Sequence, residues 1–229
     1  MDNNMFSVKE VVAAASAIYR KQGYIKKNAF IPEPEVIDGV AQPALQPNSV
    51  MLSRYYSNAC SLEITDQDRT FADEVIAYLS GLSFKAMERG LTDFETNILR
   101  FVTSDQAPIK EVGIAASLPQ VYDNKLKQDS WEQRERELSE TSDYVGTLKQ
   151  RSEFEVVVEN TRYIGRTESY LYCVSVDDQH ILKFFSQDKL GDAGTKLCLS
   201  GFVKSHTESQ YHGGKETMIN RVKVHSVNP

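Results

Sequence analysis

Residues 194–206 are the most informative stretch of the chain, and they read GTKLCLSGFVKSH. Within them Leu197, Leu199, Gly201 and Val203 alternate with Lys, Cys, Ser and Phe. A period of two is typical of a β-strand with one buried face. A glycine inside such a strand favours a bend. The stretch therefore predicts a tightly coiled strand that bends at Gly201.

The same alternation appears in the segments on both sides of this stretch. It is found at 153–158, 170–176, 181–185 and 215–227, and a glycine-rich piece interrupts it at 190–194. Five short strands in a flat sheet would leave unpaired edges, and closing the sheet removes them. The last third of the chain therefore predicts a small five-stranded β-barrel.

Three short motifs in this region resemble a known kind of domain. They are the run at 194–206, then Tyr211 and Gly213 followed by Lys215-Glu216-Thr217, and finally Asn220-Arg221-Val222-Lys223-Val224. Together they resemble the end of the OB-fold found in bacteriophage replication and single-stranded-DNA-binding proteins. The resemblance covers about residues 150–227, and nothing before them resembles a known family. It implies an OB-like barrel that binds single-stranded DNA.

The composition of the chain narrows the class of protein. The chain has 229 residues, of which 41% are hydrophobic and 25% charged, as in a globular protein. No apolar run approaches the roughly 18–20 residues that span a bilayer, and the N-terminus lacks the pattern of a secretory signal. Its three cysteines lie far apart, which favours reduced thiols. We expect a protein of the cytoplasm, or of the host-cell cytoplasm if it is viral, with no membrane partner.

Charge is distributed unevenly along the chain. The net charge is −6, yet residues 151–229 hold ten basic and ten acidic residues. The acidic excess therefore lies in the first two-thirds, and the change in composition favours a domain boundary near residue 150. A neutral third permits a local basic strip that could contact a polyanion.

The first two-thirds of the chain show helical rather than alternating periodicity. Ser7 with Glu10, Thr65 with Asp68 and Thr92 with Glu95 predict helix starts, the first and last as capping boxes. Prolines favour an irregular connection over 26–48, and Val50 to Ile64 fits either a helix or a strand. We predict an α+β protein with a mainly helical domain at 1–119, a polar helix or linker at 120–150, and an OB-like barrel at 151–229.

Binding of single-stranded nucleic acid requires cations for the phosphates and aromatic rings for the bases. The basic candidates in the barrel are Arg162, Arg166, Lys183, Lys204, Lys215, Arg221 and Lys223. The aromatic candidates are Tyr163, Tyr170, Tyr172, Phe184 and Tyr211. The alternative interpretation is that the cations line a solvated outer face and the aromatic side chains fill the barrel core.

Other chemistry has weaker support in the sequence. His206 and His212 lack the paired spacing of a zinc site, and Cys198 lies among strand residues as a small hydrophobe. The chain has no G-x-S-x-G motif, Walker loop or G-x-G-x-x-G motif. We therefore predict no cofactor, no metal and no enzymatic activity, although a nuclease with carboxylates from several elements stays open.

These observations lead to one function and two alternatives. We predict a non-enzymatic protein that binds single-stranded DNA in phage-type DNA replication or recombination, with weak sequence preference. The helical half would form a homo-oligomer or contact other replication proteins. The first alternative is a protein–protein adaptor with a purely structural barrel, and the second is a metal-dependent nuclease.

Overall fold

The computed structural model describes residues 5–29, 36–37, 40–41, 45–209 and 213–228. Its contacts divide the chain into two units, Met1–Leu126 and Lys127–Pro229. Helices dominate the first unit and a closed β-barrel the second, so the predicted α+β class is confirmed.

The first unit is built around helix α1, Val8–Gln22, in which Val8 and every residue from Val11 to Ile18 are buried. Strand β1 (Met5–Ser7) precedes it and pairs with β4 (Gln106–Pro108). The predicted capping box at its start is wrong, because the Ser7 side chain makes no capping hydrogen bond. Glu10 instead accepts hydrogen bonds from the Arg69 guanidinium.

The other helices of this unit pack around α1 into one apolar core. The capping box at Thr92 and Glu95 is confirmed, and Thr65 with Asp68 forms one too. The stretch from Val50 to Ile64, for which the sequence left helix and strand open, is helical as far as Tyr56. The remaining elements are β2 (Val36–Ile37), β3 (Val40–Ala41), α2 (Asn48–Tyr56), α3 (Asp66–Ser80), α4 (Leu82–Arg89), α5 (Asp93–Val102) and α6 (Val112–Thr141).

Helix α6 continues from the first unit into the second. It is long, but its sequence is rich in charged and amide side chains. Within the described ranges, no helix combines the length and the apolar character needed to cross a membrane.

The second unit contains strands β5 (Arg151–Ile164), β6 (Ser169–Val176), β7 (His180–Ser186), β8 (Lys196–Glu208) and β9 (Lys215–Asn228). They close in the order β5-β6-β7-β9-β8, and β8 pairs back with β5. The pair β7–β9 is parallel and the other pairs are antiparallel. This five-stranded closed barrel is compatible with an OB-like fold.

The barrel interior is filled by side chains from alternate positions of the strands. Strand β8 is irregular, as its glycine predicts, with register shifts near Leu199, Gly201 and Lys204. A Cβ atom added at Gly201 would lie 2.6 Å from Ile219 Cδ1. The strand therefore coils where only a glycine leaves room for the neighbouring core side chain.

Residues 142–150, between α6 and β5, are bonded to the barrel. The Ser142 hydroxyl donates to the Lys215 carbonyl, and the Val145 amide donates to the Thr217 hydroxyl. The Lys149 amide donates to the Val203 carbonyl. These bonds fix where α6 ends relative to the strands.

Candidate nucleic-acid interface

An OB-fold usually holds its ligand on the outer face of its second and third strands, which correspond here to β6 and β7. The inward positions of these strands are core residues such as Tyr172 and Leu182. Their neighbours in sequence point outward because side chains alternate along a strand. The outward positions are Leu171, Cys173 and Ser175 on β6 and Ile181, Lys183 and Phe185 on β7.

Helix α6 covers one half of this face. Trp131 and Leu138 pack against Cys173 and Ile181, and Leu138 is 1% exposed. Beside them Arg134 donates two hydrogen bonds to the Glu159 carboxylate, at 3.0 and 3.2 Å. This half of the face is therefore occupied by the protein's own helix.

Lys183 lies beneath the helix and is neutralised there. Its ammonium is 2.6 Å from a Glu216 carboxylate oxygen and 3.6 Å from a Glu135 carboxylate oxygen. Burial acts to lower the pKa of Lys183, but Cys173, Glu216 and Glu135 together raise it above its ordinary value. The predicted role of Lys183 in phosphate binding does not fit this position, because its charge is already paired.

Two predicted stacking residues lie in the barrel core instead of on its surface. Tyr172 and Phe184 are both 0% exposed, with ring centroids 5.1 Å apart. The Tyr172 hydroxyl accepts a hydrogen bond from the Leu190 amide. Neither ring is accessible to a base, so for these two residues the alternative interpretation as core aromatics describes the structure.

The other half of the β6–β7 face is open. Arg162, Leu171 and Phe185 occupy neighbouring outward positions on β5, β6 and β7, so the row spans about 10 Å. Phe185 is 49% exposed. Arg162 is exposed and has no ion pair within the ranges that the structure describes.

Two tyrosines lie next to this row at the end of the barrel, at positions on the inward side of the strands. Tyr163 pairs with Tyr170 across β5 and β6, and their ring centroids are 5.1 Å apart. Tyr163 is 55% exposed, while Tyr170 is half-buried against the core. An aromatic series thus leads from the buried Tyr172 to the exposed Tyr163.

Arg166 lies in the turn that joins β5 to β6, where it is exposed and has no ion pair among the described residues. Glu168 lies in the same turn and contributes a negative charge. We use the name "rim surface" for the set Arg162, Tyr163, Arg166, Tyr170, Leu171 and Phe185.

The sequence analysis named Phe184 as a stacking candidate, but the exposed member of this adjacent pair is Phe185. The cross-strand pairs Tyr172 with Phe184 and Leu171 with Phe185 place the first ring inside and the second outside. The signal was available in the alternation of Leu182, Lys183, Phe184 and Phe185, because a charged residue at 183 favours outward positions for 183 and 185.

The remaining predicted residues lie away from the rim surface. Lys215 is paired with Asp143 at 2.9 Å and lies over the Tyr144 ring. Lys204, Arg221 and Lys223 are exposed on β8 and β9. Tyr211 falls outside the described residues.

His206, one of two histidines near the end of β8 in sequence, lies against the segment that joins α6 to β5. The His206 ring stacks on Tyr144 with centroids 4.6 Å apart, and its Nε2 lies 3.4 Å from the Val145 carbonyl oxygen. His212 is outside the described residues. In the part of the chain that the structure describes, no group of three or more His, Cys, Asp or Glu side chains is arranged to hold a metal ion.

Comparison with protein-family models, with curated proteins and with solved structures found no match to this chain.

Proposed function

We propose that the Lys127–Pro229 unit binds single-stranded nucleic acid at the rim surface, as a non-enzymatic protein of phage-type DNA replication or recombination. The observation that carries the proposal is the open row at the uncovered half of the β6–β7 face. There Phe185 and Arg162 are exposed at outward positions with Leu171 between them, no described carboxylate forms an ion pair with Arg162, and the exposed Tyr163 follows Arg162 on β5. The resemblance of residues 194–224 to OB-folds of single-stranded-DNA-binding proteins supports the same assignment.

The chemistry of the rim surface suits this ligand. Phe185 and Tyr163 offer ring faces for bases, and each stacked base is worth about 1–3 kcal/mol. Arg162 and Arg166 supply cations for the phosphates between those bases. Every base has a ring face, so binding by stacking and phosphate contacts tolerates many sequences, and we expect weak sequence preference.

We assign contacts with other replication proteins, or with a second copy of the chain, to the helical unit. Phe84 and Met87 are 72% and 84% exposed and lie three residues apart on α4. Two large apolar side chains on one helix face are a common feature of protein contact surfaces.

One observation favours the adaptor as a second candidate. Helix α6 covers part of the face where an OB-fold usually binds its ligand, and Lys183 is neutralised beneath it. If the protein is an adaptor, the barrel is a structural module and the rim surface contacts a protein instead of a polynucleotide.

The test is a fluorescence-anisotropy titration of the full chain with a labelled oligothymidylate, at low and at raised salt. The proposal expects binding that weakens as salt rises, because each phosphate contact releases counterions. Phe185→Ala should weaken binding by about one stacked base, or roughly tenfold. Phe94→Ala is the matched control, since Phe94 is 50% exposed in the other unit.

Each outcome separates the candidates. Absence of binding at low salt would favour the adaptor. Cleavage of the oligonucleotide only when magnesium is added would favour the nuclease. Binding that Phe185→Ala and Phe94→Ala weaken equally would show that the rim surface is not the contact.

A further inference from the structure

A second group of cations lies on the outer face of β5, β8 and β9. Arg151 contacts Ser200, Lys223 lies opposite Ser200 in register, and Arg221 lies opposite Gly201; Ser200 itself is 5% exposed. The Arg151 guanidinium donates to the Ser200 hydroxyl and to the Arg221 carbonyl, both at 3.0 Å. His225 Nε2 lies 3.1 Å from the same hydroxyl. We call Arg151, Ser200, Arg221, Lys223 and His225 the Ser200 cluster.

A bulge in β9 creates this cluster. The β8–β9 register changes from Ser200 opposite Lys223 to Phe202 opposite Asn220, so Gly201 faces two residues, Arg221 and Val222. Such a bulge adds one residue and redirects side chains. Val222 consequently packs against the core, while Lys223 lies on the outer face and is exposed.

Arg221 is the residue that the bulge inserts. Its φ is +50°, a left-handed conformation that is uncommon outside glycine, asparagine and aspartate. Its guanidinium lies 5.8 Å from the centre of the Phe202 ring. Without the extra residue, regular alternation would point the side chain at 221 toward the barrel interior.

The cations of the cluster take no part in the ion pairs of the described residues. Across the described residues no carboxylate forms an ion pair with Arg151, Arg221 or Lys223, whereas Arg134, Lys183, Lys189 and Lys215 in the same unit are all paired. One acidic residue, Glu153, is exposed and lies opposite Ser200 on β5. Three cations on neighbouring positions of one outer face, with no ion pair among the described residues, suit the oxygens of a phosphodiester.

We propose that the Ser200 cluster binds backbone phosphates of the same polynucleotide whose bases stack on the rim surface. This inference rests on the proposed function. Arg151 and Arg162 are at the two ends of β5, which places the surfaces at most about 36 Å apart along the strand. A long oligonucleotide can reach both surfaces, and a short one can occupy only one of them.

The experiment compares oligothymidylates of about 6 and about 20 nucleotides, at the low end and beyond the upper end of the site sizes known for single OB-folds. Lys223→Gln removes an exposed cation whose side chain has no hydrogen bond or ion pair among the described residues, and Lys127→Gln, exposed on α6, is the matched control. We expect Lys223→Gln to weaken binding of the long oligomer about twofold to fivefold and to lower its salt slope by about 0.7. The short oligomer should occupy the rim surface, where its bases can stack, so its binding should stay unchanged.

A long abasic oligomer supplies phosphates without bases. Lys223→Gln should weaken its binding by the same factor, whereas Phe185→Ala should leave it unchanged. Arg221→Asn, which tolerates the left-handed backbone, is the second variant and should act like Lys223→Gln.

The outcomes also separate this inference from the proposed function. Loss of long-oligomer binding in Phe185→Ala but not in Lys223→Gln or Arg221→Asn would overturn the cluster and leave the rim surface in place. Equal losses for short and long oligomers in Lys223→Gln would overturn the two-surface arrangement. No binding of either oligomer by the unaltered chain would overturn the proposed function itself.

Discussion

Lys183 of β7 and Glu216 of β9 form an ion pair of 2.6 Å at the side of the barrel that α6 covers. Glu135 of the helix lies 3.6 Å from the same ammonium, so one cation joins a helix to two parallel strands. In an OB-fold this face usually belongs to the ligand. Here the Lys183 charge instead joins the protein's own helix α6 to the barrel.

Lys183→Ala should therefore affect stability and leave oligonucleotide affinity unchanged. Removing the ammonium leaves Glu135 and Glu216 facing each other with side chains only 13% exposed, which we expect to cost about 1–3 kcal/mol of unfolding free energy. Urea unfolding and an anisotropy titration of the same variant measure the two effects. Lys223→Ala, on the exposed outer face, is the stability control and should unfold like the unaltered protein.

Leu138→Ala should loosen the helix from the barrel. Leu138 is 1% exposed between α6 and the strands, and truncation of such a residue costs about 2–5 kcal/mol. Trp131 is the only tryptophan of the chain and belongs to the same contact, so its emission should shift to longer wavelength. Leu126→Ala, at a position 40% exposed, should leave both unfolding and emission unchanged. An unshifted emission in Leu138→Ala would contradict the packing described here.

Gly201→Ala should destabilise the barrel by about 1–3 kcal/mol because the new methyl group meets Ile219 Cδ1 at 2.6 Å. Ile219→Val deletes that atom and should cost about 0.5–1.5 kcal/mol alone. The double variant should lose less stability than the sum of the two single losses, because the valine at 219 relieves the clash. Thermal unfolding of the four proteins measures this coupling, and strict additivity would refute the steric explanation.

The Arg20–Asp68 pair should make the helical unit sensitive to acid. Arg20 donates hydrogen bonds of 2.8 and 2.9 Å to the Asp68 carboxylate and lowers its pKa from 3.8 to about 2, against the opposing effect of burial. The carboxylate is favoured in the folded state, so its stabilisation is complete above about pH 4 and is lost as pH falls through about 2.

Arg20→Gln should remove most of this pH dependence, which corresponds to about 2 kcal/mol at neutral pH. Urea unfolding between pH 2 and pH 6 measures it. Arg69→Gln is the control, because its partner Glu10 is about half exposed and such surface pairs contribute little. Equal pH profiles for Arg20→Gln and the unaltered protein would refute the assignment to Asp68.

The periodicity of the sequence was sufficient to predict the barrel, because inward positions such as Val156, Val174 and Leu199 recur at every second residue. Aromatic character alone did not distinguish Phe184 from Phe185, and the phase of this short strand had to be inferred from the charged neighbour Lys183. Cross-strand pairing settles that phase.

The cover on the β6–β7 face could not be predicted from sequence. Trp131 and Leu138 are seven residues apart, on the same side of a helix whose other residues there are mainly polar. Two apolar positions in a charged helix indicate a contact but not its partner. The bulge at Arg221 could not be predicted either, because the sequence around it continues to alternate between Val and basic residues despite the inserted residue.

Strand β9 is hydrogen-bonded to β7 on one side and to β8 on the other, and it comes last of the barrel strands in the chain. During translation the other four barrel strands leave the ribosome before β9. Until β9 follows, one edge of β7 and one edge of β8 have no partner strand. Such edges invite pairing between nascent chains. The synthesis of the final barrel strand therefore allows both edges to be paired and removes this route to aggregation.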